Sequence, residues 1–396
     1  MVQADYPQSS LALAPARLAE VGSRGHFSNQ GGIMRRFTAL FFATVLIAGC
    51  ASSPLPAEEP AADPAAASEQ DSTAQEPAAP AEPYDGPIRS VVVDTDMGID
   101  DLIAVAMLVG SPMVDVEAIA ITGLFVRCPK GEQIMLDFLQ TIGATGIPVA
   151  CGATTALEGG RTFPNDWRDF ADQGWGAPLQ PSNESPDPAG GVGLIERAVG
   201  EGADTLVILG PPTTSAQALR AAPELADRIV EVVMMAGAVD VPGNLYLDGN
   251  ENPAWPGEWN VYVDPVATTE IFASGIPVVM VGLDATNQVP VSREVVDRMR
   301  SEGSGLAVSF AVETLERLRL VDAFDSYFWD QLAVAYLLDP AVVTLEQTGI
   351  SVSLEPEREV GRTVRDPNGP VISIATAADQ QLFHQLMIDS LSGRAG

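Results

Sequence analysis

The chain has 396 residues and a formal net charge of −32, from 53 acidic and 21 basic side chains. That balance argues against nucleic acid as a partner, because holding phosphates takes Lys and Arg. Lys130 is the only lysine, and His26 and His384 are the only histidines, so lysine Schiff-base chemistry is disfavoured and a poly-His zinc site is excluded.

Met34-Arg35-Arg36 is a short basic segment, Phe37 to Ala48 is an apolar run, and Ile47-Ala48-Gly49-Cys50 closes it. A basic start, a short apolar stretch and small residues before a Cys make a secretory signal. The ending looks like a bacterial lipobox, with cleavage before Cys50 and lipid on its sulfur. The run is too short for a comfortable membrane span. Residues 34–49 therefore read as a lipoprotein signal peptide, and 1–33 as an upstream extension or a misassigned start. Residues 50–86, the lipidated Cys followed by an Ala/Pro/Glu linker, have little to bury and read as a disordered tether. The expectation is an exported domain, 87–396, lipid-anchored to the cell envelope on its periplasmic or outer membrane face.

VVVDTDMGIDD, Val91 to Asp101, is the most informative stretch of that domain. Three valines run into Asp94, Asp96, Asp100 and Asp101, with Gly98 between and the apolar run LIAVAML after. This reads as a buried strand, a tight turn and a helix. Four like charges in one turn repel unless a cation lies between them, and a hard cation takes oxygen ligands. Capping of the helix explains one or two of the four carboxylates, not all of them. An EF-hand fits less well, since its twelfth position would be Val105 and not Glu.

Strands are expected at 90–94, 115–121, 147–150, 205–209, 230–235 and 277–282. Helices are expected at 100–110, 131–143, 190–200, 213–221, 264–274, 292–302, 304–319 and 329–338. The alternation implies an α/β fold, a mainly parallel central sheet flanked by helices. Residues 158–190 and 243–258 read as long irregular loops, often functional. Residues 350–375 read as a hairpin turning at Asp366-Pro367-Asn368-Gly369. Cys128 and Cys151 fit a disulfide or two buried thiols equally well.

DTDMGIDD resembles the signature of the inosine–uridine-preferring nucleoside hydrolase family. Four further segments resemble the family's in the same order: ILGPPTTSAQAL (208–219), VVMMAGAVDVPGN (232–244), EWNVYVDPVAT (258–268) and WDQLAVAYLLDP (329–340). The resemblance implies a single Rossmann-like domain that hydrolyses the N-glycosidic bond of nucleosides with Ca²⁺. Carried over, Asp96, Asp101 and Asp330 ligate the ion by carboxylate and Thr213 by its backbone carbonyl. Asp96 serves also as general base towards a water. Asp100, Asn244, Glu258 and Asn260 bond the ribose hydroxyls, with Asn250 and Asn252 as rivals of Asn244. The partner is a small nucleoside, and a homo-oligomer is expected from family habit.

The sequence departs from the family pattern twice. Trp329 stands where the family has a His; an indole is no general acid but can stack on a base. Tyr327, Asp325 or Tyr246 then remain as candidates for activating the leaving base. The family's Gly-Asn after the second strand is missing, and Arg127 or Cys128 falls near its place. Two rival readings follow: a nucleoside-binding lipoprotein without turnover, and a haloacid dehalogenase-type phosphatase built on Asp94 and Asp96.

Overall fold

The computed structural model describes residues 86–245, 256–323 and 326–394. Cys50, the signal and tether up to residue 85, Tyr246, Asn250, Asn252 and Asp325 lie outside the described residues. Among those described, no helix is long and apolar enough to cross a membrane.

Strand β1 (Arg89–Thr95) shows why the sheet is central. Val91 and Val93 pack into one apolar cluster and Val92 into another, so alternate side chains serve opposite faces. A strand buried on both faces needs such a continuous apolar run. Helix α1 (Ile99–Gly110) covers one face, β2 (Val114–Ile121) lies beside β1, and α2 (Lys130–Ile142) returns the chain to β3 (Val149–Cys151). The expected irregular stretch holds a short α-helix, α3 (Asn165–Ala171), and a 3-10 turn at Gly174–Gly176. There follow α4 (Gly190–Glu201), β4 (Thr205–Ile208), α5 (Thr213–Ala221) and β5 (Glu231–Met234). Next come α6 (Trp259–Val263), α7 (Pro265–Phe272), β6 (Val278–Met280), α8 (Leu283–Thr286), α9 (Arg293–Glu302), α10 (Leu306–Arg317) and α11 (Trp329–Leu338). The chain closes with β7 (Val343–Val352), β8 (Thr363–Arg365), β9 (Val371–Ala378) and α12 (Gln380–Leu391).

The nine strands lie in the order β3-β2-β1-β4-β5-β6-β9-β7-β8. β1 to β6 and β9 run parallel, and β7 is antiparallel to both β9 and β8. The chain moves outward from β1 in both directions, so the order reverses between β1 and β4. Open α/β sheets bind ligands outside the carboxyl ends of the strands at such a reversal.

The hairpin expected within 350–375 is corrected. β8 and β9 are not neighbours, because β7 lies between them. The Asp366–Gly369 turn crosses β7 at the Gly349–Ile350 peptide, whose C=O and N–H point to opposite sides. Asp366 N–H donates to the Gly349 carbonyl and Ile350 N–H to the Pro370 carbonyl, at 2.8 and 3.0 Å. β7 also begins earlier than expected, since Thr344, Glu346, Gln347 and Thr348 give it no apolar alternation to read.

Cys128 and Cys151 are disulfide-bonded, with 6.0 Å between their Cα atoms. The bond ties the loop between β2 and α2 to the end of β3.

Candidate active site

β1 ends by delivering its carboxylates to the reversal point. Asp94 is fully buried and fully occupied: Oδ2 accepts from Ser215 N–H and hydroxyl at 3.0 and 2.6 Å, and Oδ1 accepts from the Thr122 hydroxyl at 2.7 Å. It therefore ties β1 to β2 and to the start of α5. A phosphatase nucleophile would need a free Asp94 carboxylate, and this one has none. Burial, partly offset by those bonds, pushes Asp94 up to about 6.

The turn after Thr95 folds the remaining carboxylates together. Met97 takes the left-handed conformation (φ 65°), which a side-chain-bearing residue adopts only under constraint. Its N–H donates to the Thr95 hydroxyl and its carbonyl accepts from the Trp175 indole, both at 3.0 Å. A Cβ on Gly98 would lie 2.6 Å from both Asp100 Oδ1 and Asp101 Oδ2, so a side chain there would displace the two carboxylates. Neither Asp100 nor Asp101 caps α1, whose N-terminus at Gly98 has no side-chain cap. Asp101 Oδ1 instead accepts from the Thr95 hydroxyl and from Asp96 N–H.

Asp330, in the first turn of α11, arrives from the far end of the chain. Oxygens of Asp100, Asp101 and Asp330 lie within 4.8 Å of one another. Asp96 Oδ1 accepts from Gly98 N–H at 3.2 Å, while Asp96 Oδ2 and Asp330 Oδ2 are buried with no hydrogen-bond partner. Among the described residues none of these carboxylates is paired with Arg, Lys or His. Burial first, and then Asp101 and Asp100, hold Asp96 and Asp330 well above the ordinary carboxylate range. Burial and Asp101 push Asp100 up to about 7. Orphaned oxygens on crowded buried carboxylates are what a cation would relieve.

The loop from β4 to α5 packs directly on Asp96. A Cβ on Gly210 would come within 2.7 Å of Asp96 Cβ, so this close approach admits only glycine. Thr213, three residues on, does not cap α5. Its hydroxyl donates to Asp264 Oδ2 at 2.7 Å.

The expected sugar contacts are tied into the protein's own backbone. Glu258 caps α6, taking Asn260 N–H on Oε1 and Gly237 and Val261 N–H on Oε2, at 3.0 to 3.2 Å. A carboxylate has about four acceptor sites, so little capacity remains for a sugar hydroxyl. The Asn260 amide donates to the Leu209 and Met235 carbonyls at 3.1 Å, joining the ends of β4 and β5. Asn244 Oδ1 accepts from Trp259 N–H at 3.1 Å. Trp329 is half-buried at the start of α11, its indole N–H unpartnered, with the Tyr327 ring 6.0 Å away.

Neither residue expected near the missing Asn is free to replace it. Arg127 pairs with Asp169 and Asp172, and Cys128 is in the disulfide. The loop meets the site through its backbone instead, with Val126 N–H donating to the Asp96 carbonyl at 3.2 Å. Sequence reasoning also missed Gln331, whose amide donates to the Asp100 carbonyl at 2.8 Å and links α11 to α1. A groove of about 720 Å³ lies at the opposite end of the sheet against Glu231, Tyr336 and Val371, remote from these carboxylates.

The profile of inosine–uridine preferring nucleoside hydrolases matches residues 91–385. The pyrimidine-specific ribonucleoside hydrolase RihA of Escherichia coli is 31% identical over 321 residues, which span 76% of this chain and 97% of that protein. Among solved structures, the purine-preferring ribonucleoside hydrolase of Gardnerella vaginalis is 26% identical with a TM-score of 0.64, covering 77% of this chain and 98% of that one. An inosine–guanosine nucleoside hydrolase has the same fold, with a TM-score of 0.66 at 24% identity over 78% of this chain and all of that one. A carboxylate cluster at the sheet's reversal point, the matched profile and this coverage agree: the chain belongs to the inosine–uridine preferring nucleoside hydrolase family.

Proposed function

We propose that this protein is a calcium-dependent ribonucleoside hydrolase in which Asp96 is the general base. The observation that carries the reading is the cluster of Asp100, Asp101 and Asp330, with Asp96 bonded by its N–H to Asp101 and repelled by Asp101 and Asp100, and with orphaned buried oxygens on Asp96 and Asp330. Asp96, Asp101 and Asp330 would hold the ion by carboxylate, and Thr213 by its backbone carbonyl. These are oxygen donors of mixed kind, as Ca²⁺ prefers. When bound, the ion supplies positive charge against the cluster and acidifies water at its face.

Asp96 Oδ2 would take the proton that the attacking water gives up. As the N-glycosidic bond breaks, positive charge grows on the sugar ring, and the carboxylates' fixed negative field stabilises it. Asp100 would bond the ribose, with Asn244 and Asn260 on the other side and Glu258 acting more by holding the 258–261 turn. The ring of Trp329 would stack on the base. Two readings beyond the site complete the proposal: export with lipid on Cys50, and assembly with further copies. The matched relatives are named for pyrimidine and for purine substrates, so base preference is left to experiment.

The test incubates the purified protein with purine and pyrimidine ribonucleosides, with calcium or with chelator, and separates base from ribose. Calcium-dependent release of both is expected. Asp96→Asn should lower it by roughly 10²–10⁴-fold, the usual share of a general base, with the folded spectrum intact. Nucleoside binding without release in the wild type would favour the turnover-free binding lipoprotein. Mass spectrometry of the mature N-terminus tests the anchor: a chain still starting before Cys50 would rule it out.

A further inference from the structure

One short segment, 258–264, grips the loop between β4 and α5 at both ends. At the near end, the Asn260 amide holds the Leu209 carbonyl at 3.1 Å. At the far end, Asp264 Oδ2 takes the Thr213 hydroxyl at 2.7 Å. Between these grips the loop runs Gly210-Pro211-Pro212. Gly210 lies against Asp96, and two prolines fix their own φ angles. The loop therefore has little freedom, and at its far end Asp264 holds Thr213 while Thr122 and Asp94 hold Thr214 and Ser215.

Asp264 is itself over-determined. It is fully buried, it caps α7 by taking Ala267 N–H on Oδ1 at 3.0 Å, and Oδ2 also takes Leu157 N–H at 2.7 Å. The carboxylate cannot swing towards the ion without breaking the α7 cap and its hold on the loop after β3. A backbone carbonyl, unlike a side chain, has no rotamer of its own with which to seek a ligand. Its aim is set wholly by its neighbours' grip.

We infer that Asp264 is a positioning residue for the metal centre: through the Thr213 hydroxyl it fixes the direction of the Thr213 carbonyl. The inference rests on the proposed ligand role of that carbonyl. Partners that orient ligands typically govern about 10–100-fold of metal affinity, and Asp264 shares this one with Thr122, whose hydroxyl accepts from the N–H of the same Thr213–Thr214 peptide at 3.4 Å.

The test titrates calcium by calorimetry into the chelator-treated wild type, Thr213→Val, Thr213→Ser, Asp264→Asn and the double variant Thr213→Val with Asp264→Asn. Thr213→Val removes the hydroxyl and keeps the carbonyl, so it should weaken calcium about ten-fold or more. Thr213→Ser keeps the hydroxyl and should restore binding to near the wild type. Asp264→Asn should weaken binding at least as much, and the double variant should bind no worse than Asp264→Asn alone, because both changes remove one contact. If Asp264→Asn fails to fold, the Val and Ser pair still decides. Unchanged calcium affinity in Thr213→Val beside a normal wild-type isotherm overturns this inference alone. Additive losses overturn it too, by assigning Asp264 to the α7 cap. A wild type that takes up no calcium sinks the metal reading and the inference with it.

Discussion

Trp329 and Asp330 are adjacent in sequence, yet their loss should register in different constants. Asp330 carries an orphaned buried oxygen among like charges. If Asp330 ligates the ion as proposed, replacing it by Ala should lower calcium affinity at least about ten-fold. An unaltered calcium isotherm would contradict the assignment. Trp329 has no oxygen to offer, and its half-buried ring is what Trp329→Ala removes. Losing one stacked base is worth about 1–3 kcal/mol, so KM for nucleosides should rise by roughly 5- to 150-fold while calcium affinity stays. An unchanged KM would make the ring a packing element. The carboxylates of DTDMGIDD were legible because charges repeated at that density have no reason to share a turn without a cation. The bonds of Glu258, Asn260 and Asp264 were not, since each joins groups that come together only in the folded chain.

Elements with an apolar period were read closely. β1, α5 and α11 fall within a residue or two of their expected bounds, because buried runs and helical stripes are local signals. β7 and the β8–β9 crossing were misread because their order is set by long-range pairing, which a turn sequence does not encode. Helix α12 carries a different consequence. His384 is buried there with Nε2 unpartnered; burial, and then the charge of Arg298, hold its pKa below the ordinary 6.5, with Glu294 opposing. A folded pKa below the unfolded one means the unfolded chain takes the proton first. The stability this group contributes is complete above the unfolded value and is lost as pH falls through it. Denaturation midpoints of the wild type should therefore drop more steeply between about pH 7 and about pH 5.5 than those of His384→Leu. Parallel slopes in the two proteins would mean that His384 titrates normally.

At the scale of the whole molecule, the reversal of strand order collects acidic groups from both ends of the chain into one buried place. Folding without a cation then works against itself. Asp94 is pushed up to about 6 and Asp100 up to about 7, both above the ordinary 3.8. For carboxyls raised in the folded state, the folded chain holds protons that the unfolded chain has released. Their contribution is intact below the unfolded value and is lost as pH rises through the folded one. The chelator-treated protein should accordingly melt at progressively lower temperature from about pH 5 to about pH 7.5, against the opposite trend from His384. An ion bound only by the folded state stabilises it by mass action, and it competes with protons for the same oxygens. Calcium should thus raise the melting temperature more at about pH 7.5 than at about pH 5, and the difference between paired scans cancels the His384 contribution. A calcium shift that is equal at both pH values would mean that binding displaces no protons, and the ion would then lie away from the Asp96–Asp101–Asp330 cluster.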